Sequence, residues 1–159
     1  MIKMKDEIRL KLEDEMRTAA KEAHPEEMCG VIVNNGTELL FIKMRNAHAS
    51  PEDYFKIRAQ DLAAIEDVCE IVAVAHSHPK HSSRLSALDE YSSHVNNKPF
   101  VVVGHEGTVT WHEVARALPL IGRDYIPDVV DCFTIVRDYF ARELGIDIDD
   151  FERKDLWWQ

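Results

Sequence analysis

Cysteine is scarce: Cys29, Cys69 and Cys132 are an odd number with no CxxC spacing, so a disulfide framework is not how this chain holds together. Cys29 and Cys69 read instead as core residues. Positive charge is also short, 19 Lys and Arg against 29 Asp and Glu, for a net charge of −10 and a pI near 5.2. Nucleic acid and anionic membranes are recognised by clustered Lys and Arg, so neither is expected as a partner. No apolar stretch approaches the ~20 residues of a membrane span. The start, Met1-Ile2-Lys3-Met4-Lys5-Asp6-Glu7, runs into a charged amphipathic segment and not into a secretory h-region, which predicts a cytoplasmic protein. The 45% hydrophobic content over 159 residues suits one good core plus an appendage.

The chemistry sits in His76-Ser77-His78-Pro79, followed after seven residues from His78 by Ser86-Ala87-Leu88-Asp89. The apolar run Ile71-Val72-Ala73-Val74-Ala75 reads as a buried strand, and residues i and i+2 of a strand project from one face, so His76 and His78 can chelate one ion. Pro79 ends the strand and leaves the pair at its rim. With Asp89 as third ligand, the fourth position of a tetrahedral zinc stays open, as in catalytic sites. A base is then needed, and Glu27 in Pro25-Glu26-Glu27-Met28-Cys29-Gly30 is the candidate, with Ser86 placed to donate to a developing oxyanion. Ser86 and Asp89 also read as a helix start, Ser86 capping the first turn and Asp89 complementing its dipole. The two readings are compatible. His24, His48, His94, His105 and His112 read as ordinary surface or packed residues, and His81 as part of the solvated loop Lys80-His81-Ser82-Ser83-Arg84.

Glu27, then His76-x-His78, seven residues, Ser86, two residues and Asp89 resembles the JAMM (MPN-plus) metallopeptidase signature. The resemblance implies zinc ligation by His76, His78 and Asp89, general acid/base action by Glu27 and oxyanion stabilisation by Ser86. The choice of Glu27 over Glu26 rests on the offset from Gly30 in that pattern.

Along the chain, Ile8, Leu12, Met16, Ala19 and Ala23 make a helical stripe over Asp6 to Ala23 that stops before Pro25. Strands are expected at Cys29–Val33 and Leu39–Met44 around an Asn35-Gly36 turn. Next come a short extended piece at Tyr54-Phe55-Lys56-Ile57 and a helix from Asp61 to Val68, with Leu62, Ile65 and Val68 on one face. The metal strand and the Ser86 helix, ending near Asn96-Asn97, precede a hairpin of Phe100–Val103 and Thr108–Trp111. The fold class predicted is α+β: a mixed, largely antiparallel sheet flanked by helices. The resemblance implies the JAMM/cytidine-deaminase-like form of it over residues 1–115.

A linker over 116–130, punctuated by Pro119, Gly122 and Pro127, leads to a second helical segment, Asp131 to Phe140. Gly122-Arg123-Asp124-Tyr125 followed by Asp131-Cys132 resembles the start of an NlpC-type cysteine peptidase domain, with Cys132 as the nucleophile. No histidine lies between Cys132 and Gln159 to serve as its base, so residues 131–159 read as a truncated domain and Cys132 as silent. Leu156-Trp157-Trp158 is expected either to pack back on the first domain or to remain exposed. The order of the two units is similar to the tail assembly protein K family of tailed bacteriophages. That resemblance implies a zinc peptidase or isopeptidase in tail-tip assembly, in host cytoplasm or in the virion tail. Its partners would be other tail proteins, and its substrate a protein or peptide such as a ubiquitin-like tail protein or a peptidoglycan peptide. Two other readings stand beside it: an assembly module whose metal only stiffens the loop Pro79 to Leu85, and a peptidoglycan endopeptidase.

Overall fold

A computed structural model describes residues 4–127 and 129–150. The first helix, α1 (Asp6–Ala23), buries Leu12, Met16 and Ala19 and carries Asp6 and Glu7 in its first turn and Lys21 in its last, matching the helix dipole. It ends at a cis His24–Pro25 bond. Strands β1 (Cys29–Asn34) and β2 (Leu39–Met44) pair antiparallel, Cys29 opposite Met44 and Asn34 opposite Leu39. Gly36 closes their turn at φ 90°, a conformation that costs glycine little.

After α2 (Ala59–Glu66), strand β3 (Glu70–Ser77) pairs antiparallel with the other edge of β1. Helix α3 (Ala87–Asn96) then crosses over, so β4 (Phe100–Val103) lies parallel to β3, and β5 (Val109–His112) closes the sheet antiparallel to β4. The order is β2-β1-β3-β4-β5, the mixed and largely antiparallel α+β sheet that the strand signals predict.

The sheet is buried on both faces. Leu12, Met16 and Ala19 of α1 pack on Met28, Ile32, Ala73, Ala75, Val101 and Val103. On the opposite face Val31, Val33 and Ile71 pack against Leu62 and Ile65 of α2. A bulge in the β1–β3 pairing, where Ile32 meets Ala73 but Val33 meets Ile71, leaves Val72 as the extra residue. It puts Ile71 and His76 on the same face although they are five residues apart.

Two local expectations shift. Helix α2 starts at Ala59 and ends at Glu66, and Val68 is 76% exposed: its N–H and that of Cys69 both close on the Ile65 carbonyl, turning the chain out of the helix before Val68 could reach the core. Cys69 is accordingly half-buried at the rim of the cluster. Tyr54 to Ile57 pair with no strand and are held by the Asn46 side chain, whose amide donates to the Tyr54 carbonyl (2.9 Å) and accepts from the Lys56 N–H (3.1 Å).

Among the described residues, the next helix or strand past β5 is α4 (Cys132–Tyr139), capped by Asp131 and continued by a π-helical turn, Phe140–Leu144. Arg123, whose side chain is 2% exposed, pins this segment by donating to Asp138 (2.8 Å) and to the Pro119 carbonyl (2.6 Å). Leu156, Trp157 and Trp158 lie outside the described residues. No helix among those described is long and apolar enough to cross a membrane.

Candidate metal centre

Strand pleating delivers the first two groups. His76 is the penultimate residue of β3, fully buried, and His78 follows the strand's end, its N–H donating to the Val103 carbonyl of β4 (2.8 Å). Their Nε2 atoms are 3.0 Å apart. Asp89, in the first turn of α3, brings Oδ1 to 3.2 Å from His76 Nε2 and Oδ2 to 3.2 Å from His78 Nε2. Among the described residues these three form the cluster of metal-ligating type, all buried, with ligand atoms within 4.8 Å of one another.

The local chemistry fits a cation. His78 Nδ1 lies 2.8 Å from the Ser82 carbonyl, which can only accept; Nδ1 therefore carries a proton, and Nε2 is the ring nitrogen that faces the cluster. Asp89 adds acceptors only. Two imidazole nitrogens and a carboxylate oxygen are a zinc-type donor set. His76 is clamped by Phe55, stacked at 4.5 Å, and by Phe100, edge-on at 5.6 Å. Its Nδ1 is buried without a hydrogen-bond partner among the described residues.

Ionisation follows the surroundings. Burial pushes the His76 imidazolium down more than Asp89 can raise it, so this ring is neutral at pH 7. Burial opposes charge on His78 too, but hydrogen bonds with Asp89 and Ser82 and the charges of Asp89 and Glu27 together raise it. Burial also works against the Asp89 carboxylate, yet hydrogen bonds from His76, His78 and Ser86 hold the carboxyl well below its usual range.

Glu27 lies just before β1, its N–H donating to the Pro51 carbonyl (2.7 Å) and its own carbonyl accepting from the Asn46 amide (3.1 Å). It is 8% exposed, and burial, reinforced by Asp89 and Asp53 against the opposing charges of His78 and Lys80, raises its carboxyl to about 7. Neighbouring Cys29 is buried, its thiol pushed up to about 12 by burial and by Glu27, which makes it inert.

Ser86 is the N-cap of α3. Its Oγ accepts from the Asp89 N–H (3.2 Å), and its hydroxyl and backbone N–H both donate to Asp89 Oδ2 (2.7 and 2.8 Å). Glu27, His78, Ser86 and Asp89 line one cavity of about 1050 Å³, while His76 stands behind it. Lys80 closes part of the rim through Asp53 (2.7 Å) and Glu52 (3.7 Å). The five residues singled out in the sequence are thus placed together, four on the cavity and one beneath it. Cys132 is exposed at the first position of α4 and does not line the cavity.

Asn46 and Phe55 were missed by sequence reasoning. The Asn46 amide also accepts from the His48 N–H (3.0 Å), so one side chain ties the Glu27 segment to the loop beneath it. Its position, an Asn just after a predicted strand, is the signal that could have marked it as a loop organiser. Nothing in the pattern around Phe55 announces contact with His76.

The family described as prokaryotic homologs of the JAB domain matches residues 9–117. The tail tip assembly protein K of Escherichia phage N15 is 30% identical over 153 residues, covering 96% of this chain and 63% of that protein. The protein of the same name from Escherichia phage lambda is 34% identical over 110 residues, covering 69% of this chain and 49% of that one. The chain thus spans about half to two thirds of the length of these relatives. Among solved structures, one of a Desulfitobacterium hafniense protein matches with a TM-score of 0.46 and 19% identity, covering 73% of this chain and 96% of that one. A JAB1/MPN domain protein from Archaeoglobus fulgidus matches with a TM-score of 0.42 and 19% identity, covering 67% and 88%.

Proposed function

This chain belongs to the prokaryotic homologs of the JAB domain, and on that premise we propose that it is a zinc-dependent hydrolase of an amide bond in a protein or peptide, acting in phage tail-tip assembly. The observation that carries the reading is the convergence of His76, His78 and Asp89 at the wall of a cavity that also holds a buried Glu27. Zinc held by these three residues would supply a Lewis acid that polarises a carbonyl and makes water a nucleophile at neutral pH.

The chain's own residues do the rest. Glu27, with its carboxyl near 7, takes a proton from the attacking water and returns it to the leaving nitrogen, because both of its protonation states are accessible at neutral pH. Ser82 keeps the His78 proton on Nδ1, so Nε2 is free to bind. Phe55 and Phe100 hold the His76 ring against rotation and exclude water from its buried face. Ser86 has a double duty: its hydroxyl proton rests on Asp89 Oδ2 and must swing away to reach an oxyanion, while its backbone N–H goes on holding the carboxylate. Cys132 takes no part, since a thiol nucleophile needs an imidazole base and Cys132 is outside the cavity.

A second reading, an assembly module in which the metal only stiffens residues 79–85, draws on the engagement of the Ser86 hydroxyl in the helix cap. Glu27→Gln separates the two. Under the hydrolase reading the variant retains wild-type zinc by elemental analysis, a content that His78→Ala loses, but no longer cleaves tail-tip proteins followed by mass spectrometry or supports phage assembly in a complementation assay. Assembly at the wild-type level in Glu27→Gln, with His78→Ala defective, would favour the module.

A further inference from the structure

Residues 79–85 have no regular secondary structure, yet Ser83 in their middle is only 6% exposed. The β4–β5 hairpin is what buries it. Ser83 Oγ and Thr110 Oγ1 of β5 are 2.6 Å apart, and the Ser83 carbonyl accepts from His112 Nε2, also on β5, at 2.8 Å. One step back, the His81 carbonyl accepts from the His105 N–H (2.9 Å) and from His105 Nδ1 (3.0 Å) in the hairpin turn. At the end of β4, a Cβ on Gly104 would lie 2.7 Å from the Ser83 nitrogen, so only glycine lets the two backbones approach this closely. Ser82 lies between these anchors, and its carbonyl accepts from His78 Nδ1.

We propose that the β4–β5 hairpin is the positioning device of the metal centre: Thr110 and His112 fix Ser83, and through it the Ser82 carbonyl that sets the tautomer and ring orientation of His78. The inference deepens the metal-centre reading and rests on it. Neither β5 side chain hydrogen-bonds to one of the three ligands. The charge of His112 acts on His76 directly, so Thr110, which is uncharged, isolates the effect that passes through the Ser82–Ser83 peptide, as expected of outer groups that hold a metal-binding imidazole with its other nitrogen hydrogen-bonded. With the clamp released, the 79–85 loop can withdraw the carbonyl. His78 is then free to carry its proton on Nε2, the atom that must bind.

The test uses the full chain. Zinc affinity is read by competition with a chromophoric chelator, the tautomer of His78 by 15N NMR of metal-free protein at alkaline pH, and stability by thermal melting. Thr110→Val and His112→Ala are each expected to weaken zinc binding about tenfold and to lower the Nδ1-protonated fraction of His78. His112→Gln, whose amide N–H can replace the Nε2 donor, is expected to restore both. Arg123→Ala, which loosens the segment after β5 without touching the hairpin or its loop, should destabilise that segment and leave zinc affinity alone. Wild-type zinc affinity and tautomer in Thr110→Val and His112→Ala would overturn the inference, and so would an equal loss of affinity in Arg123→Ala. A wild-type chain that takes up no zinc would overturn the metal-centre reading and the inference together.

Discussion

Glu13 is a nearly buried carboxylate on α1, with a side chain 10% exposed, and it joins the helix to the far edge of the sheet. Its Oε1 accepts from Arg9 Nε and Trp111 Nε1, both at 2.9 Å, and its Oε2 from Arg17 at 3.1 Å; Arg17 in turn donates to the Gly107 carbonyl at 2.9 Å. Glu13→Gln preserves the shape but turns one acceptor oxygen into an N–H group that faces donors. Hydrogen bonds to charged groups contribute about 1.5–3 kcal/mol each, and part of the set survives, so a loss of about 2–3 kcal/mol at pH 7 is expected. For a chain of this length that corresponds to a fall of roughly 4–12 °C in Tm. Burial pushes the Glu13 carboxyl up, but the hydrogen bonds from Arg9 and Trp111 and the charges of Arg9 and Arg17 outweigh it, so the folded value lies below the ordinary one. A depressed carboxyl contributes stability that is fully present above the unfolded value, about 4.3, and is lost as pH falls through the folded value. The gap between wild type and Glu13→Gln should therefore be widest near neutral pH and narrow steadily below about pH 4, because a protonated Glu13 resembles the amide. Urea denaturation of both proteins in a metal chelator, at neutral pH and in acid, measures it. A gap that is the same at both pH values, or under about 0.5 kcal/mol at neutral pH, would refute the assignment of this cluster as a charge-dependent clasp.

Gly30→Ala is expected to destabilise by about 1–3 kcal/mol in the same urea assay: its Cβ would lie 2.4 Å from the Ile42 carbonyl and 2.6 Å from the Phe41 ring, and the carbonyl belongs to a paired strand that cannot step aside. Arg123→Ala removes the 2.8 Å partner of Asp138, which keeps Arg142 at 3.4 Å, and the donor to the Pro119 carbonyl, so hydrogen exchange should show α4 losing about 2 kcal/mol of protection while β1, β3 and β4 amides stay unchanged. Equal loss across the sheet would mean that Arg123 supports the whole fold and not the segment after β5.

Most of the scaffold was legible because its signals are local. The stripe from Ile8 to Ala23 sets α1 to the residue, and the Asn-Gly step between two apolar runs sets the β1–β2 hairpin. His76 and His78 were legible as a pair since a two-residue period needs no knowledge of the rest of the chain. What was not legible depends on contacts between distant residues. Val68 continues the apolar face of α2 in sequence, and only the turn into β3 removes it from that face. The bulge at Val72 changes which β3 residues share a face with His76, and it exists only in the pairing with β1. Phe55 reaches His76 from 21 positions away, and His112 reaches Ser83 from 29. His105 and His112 read as ordinary histidines, and their composition and neighbours hold no hint that both bind backbone carbonyls of one loop.

Ser86 and Asp89 show why a structural and a chemical reading of four residues need not compete. A capping box satisfies the free N–H groups of a helix start, and doing so points the carboxylate of its fourth residue back across the first turn. Here that carboxylate is Asp89, and the same Oδ2 that accepts from Ser86 lies 3.2 Å from His78 Nε2. The helix start also favours the ionised form, since its positive end and two Ser86 donors face the charge. A carboxylate held by its own helix cap needs no support from a distant segment. The imidazole of His78 sits beyond the last residue of a strand, where regular pairing has stopped, and it is this side chain whose Nδ1 partner, the Ser82 carbonyl, belongs to a loop tied to a separate hairpin.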